Sequence, residues 1–325
     1  MAIGDRRDWE ARLGRRLRLR DLHILLAVIE CGSMAKAAAH LRISQPAVSD
    51  SISHLEAAIG VRLLERNRRG IAPTPYGSAL LRSSKAAFEE LRNGVRQIES
   101  LADPSGGELR IATSESITSG ILGPIIKCVS QRHPRLRLRV EQTTLGLKPI
   151  FPQLDDREVD LVVTRLDAAL AERVAREQAV VPLFNDRIRL VAAKNGPWAR
   201  RRKLDLAELA HAPWISATAE DIGGSAVANA FEARGLEPPL ITVTTYSVHL
   251  RFSLAETANF IAVLPESVLR FASTGLHELP IDIPTPPWTV AIVTQTRTSN
   301  PAIARFIECA REVTRWNARP NHLGR

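Results

Sequence analysis

Residues 22–59 contain three short helical patterns in succession, and this segment constrains the fold more than any other part of the chain. In the first pattern, apolar residues recur at the spacing of an amphipathic helix: Leu22, Leu25, Leu26 and Ile29. Cys31-Gly32 ends that pattern, and Ser33 is a suitable N-cap for a short helix over Met34–Leu41. The second helix is rich in alanine, so we expect another helix to pack closely against it.

The third pattern follows a tight connection at Arg42-Ile43 and predicts a helix over Ser44–Ile59, with Ser44 as N-cap and Pro46 in its first turn. One face is a narrow apolar stripe: Val48, Ile52, Leu55 and Ile59. The opposite face and the exposed N-terminal end are small and polar: Gln45, Pro46, Ser49, Asp50, Ser53 and His54. In a helix-turn-helix, the second helix presents such side chains to base edges in the major groove. We therefore predict that these residues, with the capping serines Ser33 and Ser44, contact DNA.

A short hairpin is predicted after the third helix. Two apolar runs, at Leu63-Leu64 and Ile71-Ala72, flank a segment that contains Asn67 and Gly70. The tip carries Arg66, Arg68 and Arg69, which would bind phosphates or the minor groove as a wing does. The alternative is an ordinary charged turn.

The net charge of +9 is concentrated at the N-terminal end of the chain. Residues 1–75 hold 13 basic and 8 acidic side chains, whereas residues 76–325 hold 31 and 27. A basic head on a nearly neutral body favours binding of a polyanion, although a solvated basic surface would have the same composition.

Residues 19–77 resemble the winged helix-turn-helix of LysR-type transcriptional regulators. The motifs that carry the resemblance are Gly32-Ser33-Met34-Ala35-Lys36-Ala37-Ala38, Ser44-Gln45-Pro46-Ala47-Val48-Ser49, Leu55-Glu56, Leu63-Leu64-Glu65-Arg66 and Thr74-Pro75-Tyr76-Gly77. The chain departs from the family at Asp50 and His54, where basic residues are common. Asp50 would either accept a hydrogen bond from a cytosine amino group or pair with His54 one turn later. Either way, phosphate attraction would depend more on the wing arginines and the basic N-terminal extension.

Beyond the head, the spacing of apolar residues changes to that of a coiled coil. After Gly77, a seam continues in alternating steps of four and three through Leu81, Ser84, Phe88, Leu91, Val95 and Ile98. We predict a dimer contact through Leu81, Phe88, Leu91, Val95 and Ile98; the alternative is a surface helix packed on its own domain. In the resembling family this linker helix pairs two subunits, and Asp103-Pro104-Ser105-Gly106-Gly107 would then form a hinge.

Strand and helix patterns alternate from Glu108 to the last predicted helix, Ala302–Thr314. Their βαβαβ order predicts parallel strands with right-handed crossovers, and the pattern recurs, which indicates two similar α/β halves. Ligands of such sheets lie beyond the carboxyl ends of the strands. The polar residues predicted at these ends are Ser114, Ser116, Thr143, Thr144, Thr164, Arg165, Ser216, Thr245 and Ser247.

We predict that these residues bind a small-molecule effector, and Arg165 suggests an organic acid, since a guanidinium is suited to a carboxylate. Each serine or threonine could instead cap a helix, and Arg165 could form an internal salt bridge. The body also resembles the effector domain of the LysR family, which is similar to type 2 periplasmic binding proteins.

The resemblance implies an α/β fold class with an N-terminal winged helix-turn-helix, a long linker helix and a two-lobed effector domain. The implied boundaries are a basic extension at 1–18, the DNA-binding domain at 19–75, the linker helix at 76–102, the hinge at 103–107, the effector domain at 108–317 (lobe I at 108–186 and 286–317, lobe II at 187–285) and a tail at 318–325. The implied partners are double-stranded DNA, an effector, further copies of the chain in a dimer or tetramer, and RNA polymerase. Effector binding would close the lobes, and Gly106-Gly107 would transmit the change.

Composition excludes several other classes of protein. Hydrophobic residues make up 45% and charged residues 24%, which is ordinary for a globular protein of two or three domains. Cys31, Cys128 and Cys309 are too few and too far apart for a disulfide scaffold or a local cysteine-based zinc site. The longest apolar run, Ile24–Ile29, is too short to cross a bilayer, and no apolar segment follows the N-terminal arginines. We therefore expect a cytoplasmic protein without membrane contact.

Catalytic motifs are absent from the sequence, so we expect neither an enzyme nor a bound cofactor or metal. The histidines form no His-Glu-x-x-His pair, and the sequence has no Gly-x-Ser-x-Gly elbow, P-loop or dinucleotide fingerprint. Gly223-Gly224-Ser225 is interpreted as a turn before a helix rather than a phosphate site. The alternative functions are a solute-binding protein and a constitutive architectural DNA-binding protein.

Overall fold

The computed structural model describes residues 17–67, 70–102, 106–142, 151–155, 157–199, 201–217, 222–257, 259–271, 275–285, 288–296 and 300–315. The chain divides into two compact units, with the boundary between Gly94 and Val95. Within the ranges described, no single helix is both long enough and apolar enough to cross a membrane.

The first unit is built on three helices: α1 (Leu19–Cys31), α2 (Met34–Leu41) and α3 (Gln45–Ile59). Each ends at a residue in the left-handed conformation, namely Gly32 (φ 67°), Arg42 (φ 56°) and Gly60 (φ 82°). α1 and α2 are bent by 119° relative to each other. The buried side chains of these helices form one hydrophobic core, which includes Leu25, Val28, Ala37, Val48, Ile52 and Leu55.

The predicted hairpin is present and is followed by the long helix. Strands β1 (Leu64–Asn67) and β2 (Gly70–Pro73) pair antiparallel, and α4 spans Pro75–Ala102. The backbone N–H of Ile71 donates to the Gly32 carbonyl over 3.1 Å, which fastens the hairpin to the α1–α2 connection. At Gly77 an added Cβ would lie 2.0 Å from the Leu63 carbonyl oxygen, so only glycine permits this approach of α4 to the hairpin.

The second unit begins with the elements of one lobe: β3 (Glu108–Thr113), α5 (Glu115–Ile117), a π-helical turn (Thr118–Leu122), α6 (Gly123–Arg132), β4 (Arg137–Gln142), α7 (Phe151–Asp155), β5 (Leu161–Leu166), α8 (Ala168–Ala175) and β6 (Gln178–Asp186). The second lobe follows: β7 (Ile188–Ala193), a 3₁₀ turn (Leu206–Leu209), β8 (Trp214–Ser216), α9 (Ile222–Glu232), β9 (Ile241–Thr244), α10 (Val248–Thr257), β10 (Ile261–Pro265), α11 (Glu266–Phe271) and β11 (Leu276–Glu278). The chain then returns through β12 (Trp288–Gln295) and α12 (Pro301–Thr314).

Each lobe contains a five-stranded sheet, in the order β4-β3-β5-β12-β6 in lobe I and β11-β7-β10-β8-β9 in lobe II. The predicted parallel pairing is confirmed, since β3 is parallel to both β4 and β5, and β8 is parallel to both β9 and β10. β12 is antiparallel to its two neighbours, so the first sheet is mixed. The chain crosses between the lobes twice, after β6 and again before β12.

The lobes contact each other where the π-helical turn approaches α11. A Cβ added at Gly120, in that turn, would lie 3.2 Å from the carbonyl oxygen of Ser267. The helical segment that follows β3 begins at Glu115, is interrupted by this turn and continues as α6. Gly223-Gly224-Ser225 also differs from its interpretation as a turn, because it lies in the first turn of α9.

Candidate DNA-binding and effector-binding sites

The two faces of α3 differ in exposure as the sequence predicts. Val48, Ile52 and Leu55 are buried in the core of the unit, and Ile59 is half-buried against it. The predicted DNA-contacting side chains on the other face and at the N-terminal end are all exposed: Gln45, Pro46, Ser49, Asp50, Ser53 and His54. A helix anchored by one apolar stripe thus presents a small polar surface to solvent.

Both capping serines act as predicted. Ser33 Oγ accepts a hydrogen bond from the backbone N–H of Lys36 over 3.4 Å, and Ser44 Oγ accepts one from Ala47 over 3.3 Å. Each hydroxyl retains its own hydrogen for a further acceptor, because the capping role uses only a lone pair. A cap at the start of α3 can therefore also donate to a phosphate or a base.

Two carboxylates whose roles the sequence analysis missed, the buried Asp21 and the half-buried Glu56, fix α3 in place. Ser51, on the side of α3, donates a 2.8 Å hydrogen bond to Asp21 of α1. Glu56 Oε1 accepts the backbone N–H groups of Leu63 (2.7 Å) and Leu64 (3.3 Å), which join α3 to the first strand of the hairpin. Their signal in the sequence is weak, because a polar residue beside an apolar stripe is also common on a solvated face.

The hairpin register pairs Asn67 with Gly70, so Arg68 and Arg69 connect the two strands. Those two arginines lie outside the described residues, as does the side chain of Arg66. The wing contacts therefore stay predictions.

The predicted ion pair between Asp50 and His54 is not formed. Both side chains are exposed, and among the described residues neither has a hydrogen bond or an ion pair. The other alternative, that Asp50 accepts a hydrogen bond from a base, is left as a prediction.

The predicted dimer seam of α4 divides into two parts. Leu81 packs into the core of its own unit, so its assignment to the dimer contact is wrong and the alternative of an internally packed helix holds there. Ser84 is also buried and donates to the Leu80 carbonyl over 2.7 Å. Phe88 is half-buried, with its ring centroid 5.9 Å from that of His23 in α1. Heptad spacing identifies an apolar face but not what covers it.

The later part of the seam is exposed. The relative exposures of Leu91, Val95 and Ile98 are 51%, 56% and 68%. Three large apolar side chains that follow one another on the same face of a helix, each more than half exposed in a single chain, are typical of an interface.

Arg165 lies at the centre of a buried polar network in the second unit. Its Nε and Nη2 atoms donate to Asp186 Oδ2 over 3.0 and 2.9 Å, and its Nη1 donates to Ser116 Oγ over 2.7 Å. Nη2 also donates to Ser267 Oγ over 3.1 Å. The exposure of the side chains is 7% for Arg165 and 1% for Asp186. The alternative of an internal salt bridge therefore holds for Arg165, whose carboxylate partner is Asp186, and a contact of Arg165 with an effector stays a prediction.

Asp186 completes this network and joins the two lobes. Its Oδ1 accepts the backbone N–H of Ser267 over 3.0 Å, and its Oδ2 accepts the Ser267 hydroxyl over 2.6 Å. Asp186 ends the last strand before the crossover into lobe II, whereas Ser267 lies in α11 of that lobe. Sequence reasoning missed both residues, since neither belongs to a local motif.

Three other predicted effector residues of lobe I are described by the structure, namely Ser114, Ser116 and Thr164. Ser114 and Ser116 are half-buried with their hydroxyl oxygens 3.4 Å apart, and Ser114 caps α5 without a side-chain hydrogen bond to it. Thr164 is buried beside Arg165 in β5. Thr143 and Thr144 lie outside the described residues.

In lobe II, the predicted residues follow β8 and β9. Ser247 Oγ accepts the N–H of Leu250 over 3.2 Å, so the capping alternative holds for Ser247, whereas Thr245 Oγ1 accepts the N–H of Ser247 over 3.1 Å just before α10 begins. Ser216 is 1% exposed, and its hydroxyl has no hydrogen-bond partner among the described residues.

A second inter-lobe contact joins Glu115, in α5 of lobe I, to the start of α10 in lobe II. Glu115 Oε1 accepts the backbone N–H of Val248 over 2.7 Å. Glu115 lies between Ser114 and Ser116, so a carboxylate separates two of the predicted effector-binding serines in the sequence. In the described part of the chain, no cluster of three or more His, Cys, Asp or Glu side chains could hold a metal ion.

Comparison with known families assigns both units. Residues 19–78 match the family model of the bacterial regulatory helix-turn-helix protein, lysR family. Residues 102–315 match the model of the LysR substrate binding domain.

The chain is also similar to curated regulators along most of its length. It is 26% identical over 262 residues to the HTH-type transcriptional regulator GbpR of Azospirillum brasilense, covering 80% of this chain and 75% of that protein. It is 25% identical over 298 residues to TdcA of Escherichia coli, covering 91% and 93%.

Solved structures share the fold. The LysR family regulator CbnR has a TM-score of 0.64 at 20% identity, with 92% of this chain and 99% of that chain covered. A full-length OxyR variant from Pseudomonas aeruginosa has a TM-score of 0.63 at 20% identity, with 92% and 97% covered. Together with the matches of the two family models, this places the chain in the LysR family of DNA-binding transcriptional regulators, with a helix-turn-helix domain and an effector-binding domain.

Proposed function

We propose that this LysR-type regulator reads operator DNA with the exposed face of α3, binds as a dimer or tetramer, and responds to a small molecule held between its two lobes. The observation that carries the proposal is the surface of α3. Ser49, Asp50 and Ser53 are exposed on it, while Val48 and Ile52 anchor the opposite side. Short polar side chains leave room for the helix to enter the major groove.

Charge supports the orientation of this surface toward DNA. The first 75 residues carry a net charge of +5, and the predicted wing arginines lie at the tip of the hairpin that Glu56 ties to α3. Phosphate contacts of this kind would supply affinity, whereas α3 would supply sequence preference.

Association of two copies through α4 fits the exposure of Leu91, Val95 and Ile98. A two-fold axis along this seam would pair two reading helices, which matches operators built of inverted half-sites. The complete regulator would act in the cytoplasm and contact RNA polymerase there.

The effector would lie near the inter-lobe network of Ser116, Arg165 and Asp186. A ligand that binds one arrangement of the lobes more tightly than another shifts the equilibrium between them. Gly107 has φ of 117° and lies in the connection between α4 and β3, where a change in the lobes could reach the linker helix. The buried, unpartnered hydroxyl of Ser216 favours this effector-responsive reading over a constitutive architectural protein, and the helix-turn-helix disfavours a solute-binding protein.

The test is retention of genomic DNA fragments by the purified full-length chain, followed by affinity measurements on one retained fragment and on random DNA. We expect Ser49→Ala to lower the affinity for the retained fragment by about 1–3 kcal/mol and to change the affinity for random DNA little. Ser83→Ala, at an exposed position of α4, is the matched control and should change neither. Equal losses on both DNAs with Ser49→Ala would contradict the assignment of α3.

A further inference from the structure

Two positive features lie where the lobes meet, and both would attract an anionic effector. One is the N-terminal end of α10, a helix of ten residues whose free backbone N–H groups and dipole favour negative charge. The other is the guanidinium of Arg165. The structure supplies an internal partner for each of them.

Glu115 occupies the end of α10. Its carboxylate, from lobe I, accepts the Val248 N–H over 2.7 Å, while Ser247 within lobe II accepts the Leu250 N–H. A tethered carboxylate at this helix end has the geometry that a free carboxylate would adopt. An anionic ligand would have to displace it.

The carboxylate of Asp186 is the internal partner of the Arg165 guanidinium. Three of the four hydrogen bonds that Arg165 donates in this network reach Asp186 or Ser267, and the fourth reaches Ser116. The arginine of α10, Arg251, is also buried and donates to the Val263 carbonyl within lobe II. Because Arg251 already donates to this carbonyl, we do not expect it to bind an incoming anion in place of Arg165.

A carboxylate already faces each of the two positive features. Glu115 lies at the end of α10 itself and Asp186 lies against Arg165, so an anion brought to either place would meet a negative charge at contact distance. The hydrogen-bonding capacity that remains is uncharged, namely the hydroxyl of Ser114 and the buried, unpartnered hydroxyl of Ser216.

We propose that Glu115 determines the charge specificity of this regulator, because it fills the anion-binding end of α10 and so restricts the effector to molecules without net negative charge. The inference rests on the proposed function, in that it names the chemical class of the effector. Neutral polyols and amines that donate and accept hydrogen bonds fit the serines that remain, and organic acids do not.

The experiment is chemical rescue of full-length Glu115→Ala by acetate. Acetate is small enough to replace the missing carboxylate, and sodium chloride at the same ionic strength is the control for screening. We expect the wild-type chain to have the same melting temperature in both salts. Glu115→Ala should melt lower in chloride and recover in acetate with a saturable dependence on concentration. At any acetate concentration used, stabilisation of the wild type should correspond to binding at least about fivefold weaker than that of Glu115→Ala, too weak to shift its melting temperature, as the interaction energy of a charge with a helix end implies.

Glu115→Gln is the matched variant. Its amide oxygen can still accept the Val248 N–H, but the charge is gone and the space remains filled, so we expect no recovery with acetate. Saturable stabilisation of the wild type by acetate equal to that of Glu115→Ala would overturn the proposal, and so would a Glu115→Ala chain that acetate does not stabilise. If Glu115→Ala fails to fold in chloride, refolding in acetate alone supports the proposal and failure in both salts opposes it.

DNA retention by the same wild-type preparation separates this inference from the proposed function. If DNA fragments are retained but acetate does not rescue Glu115→Ala, the proposed DNA-binding function stands and only the inference about the effector's charge is refuted. Loss of DNA retention would contradict the proposed function whatever acetate does.

Discussion

Ser51 in α3 donates a buried 2.8 Å hydrogen bond to the carboxylate of Asp21 in α1. The two residues are thirty positions apart in the sequence, and they lie on helices that pack through apolar side chains. Apolar contacts alone allow helices to slide, whereas a directed bond fixes their register. The angle at which α3 presents its polar face therefore depends on this pair.

We expect Ser51→Ala to lower the free energy of unfolding of the first unit by about 1–3 kcal/mol, because it leaves a buried carboxylate without its partner. Ser53→Ala, two residues further along α3, removes an exposed hydroxyl and should have little effect. Urea denaturation of the full chain, followed by far-ultraviolet circular dichroism, measures both. Equal losses for the two variants would show that the Asp21 contact contributes nothing.

Breaking the Arg165–Asp186 pair should destabilise the second unit more strongly. Asp186→Ala leaves a guanidinium that is 7% exposed without its carboxylate, and we expect a loss of about 3–5 kcal/mol. Replacing both residues, with Arg165→Met and Asp186→Leu, should cost less than Asp186→Ala alone, since no unpaired charge remains. Denaturant unfolding measures the two losses, and a larger loss for the double variant would contradict this account.

The divided seam of α4 predicts two different phenotypes on one helix. Leu81→Ala removes core volume and should cost about 2–5 kcal/mol of unfolding free energy. Leu91→Asp changes an exposed residue, so the fold should persist while the sedimentation coefficient falls to that of a monomer. Analytical ultracentrifugation distinguishes the two, and an unchanged sedimentation profile for Leu91→Asp would exclude the seam as an interface.

The wing predicts a salt effect. Replacing Arg68 and Arg69 by alanine should weaken binding to all DNA sequences and reduce the slope of log affinity against log salt by about one unit per lost phosphate contact. Arg173→Ala with Arg176→Ala removes the same charge from exposed positions in α8 and just after it, and should leave the slope almost unchanged. Equal slopes for the two double variants would reject the wing contact.

Cys309 predicts a loss of stability at alkaline pH. Burial raises the pKa of its thiol from 9.0 to about 12, with a further contribution from its hydrogen bond with Cys128. Since folding favours the protonated form, this stabilisation is complete below pH 9.0 and is lost as the pH rises toward 12. The free energy of unfolding of Cys309→Ala should therefore fall less steeply with pH over this range than that of the wild type. Equal slopes for Cys309→Ala and the wild type would contradict this account.

The helix-turn-helix could be predicted closely because its signals are local. Ser44 and Gly60 mark the ends of α3, and the stripe at Val48, Ile52 and Leu55 indicates its buried face within a single helix. The structure agrees on each of these points. Caps and periodicity depend on residues a few positions apart, which a sequence displays directly.

The buried networks could not be predicted, because their members are distant in the sequence. Asp186 lies 21 positions after Arg165 and 81 positions before Ser267, so no motif connects them. The prediction that Leu81 belongs to the dimer contact was wrong for a related reason. Its spacing matches a seam, but the core that covers it is formed by helices far earlier in the chain.

Gly77 has a consequence for how the DNA-binding unit moves. Its missing side chain lets the first turn of α4 rest directly on the Leu63 carbonyl, and Thr74 donates to Arg62 while accepting from Gly77. These contacts therefore hold the hairpin and the first turn of α4 together as one rigid piece. A rotation of that first turn would carry the strands Leu64–Asn67 and Gly70–Pro73 with it.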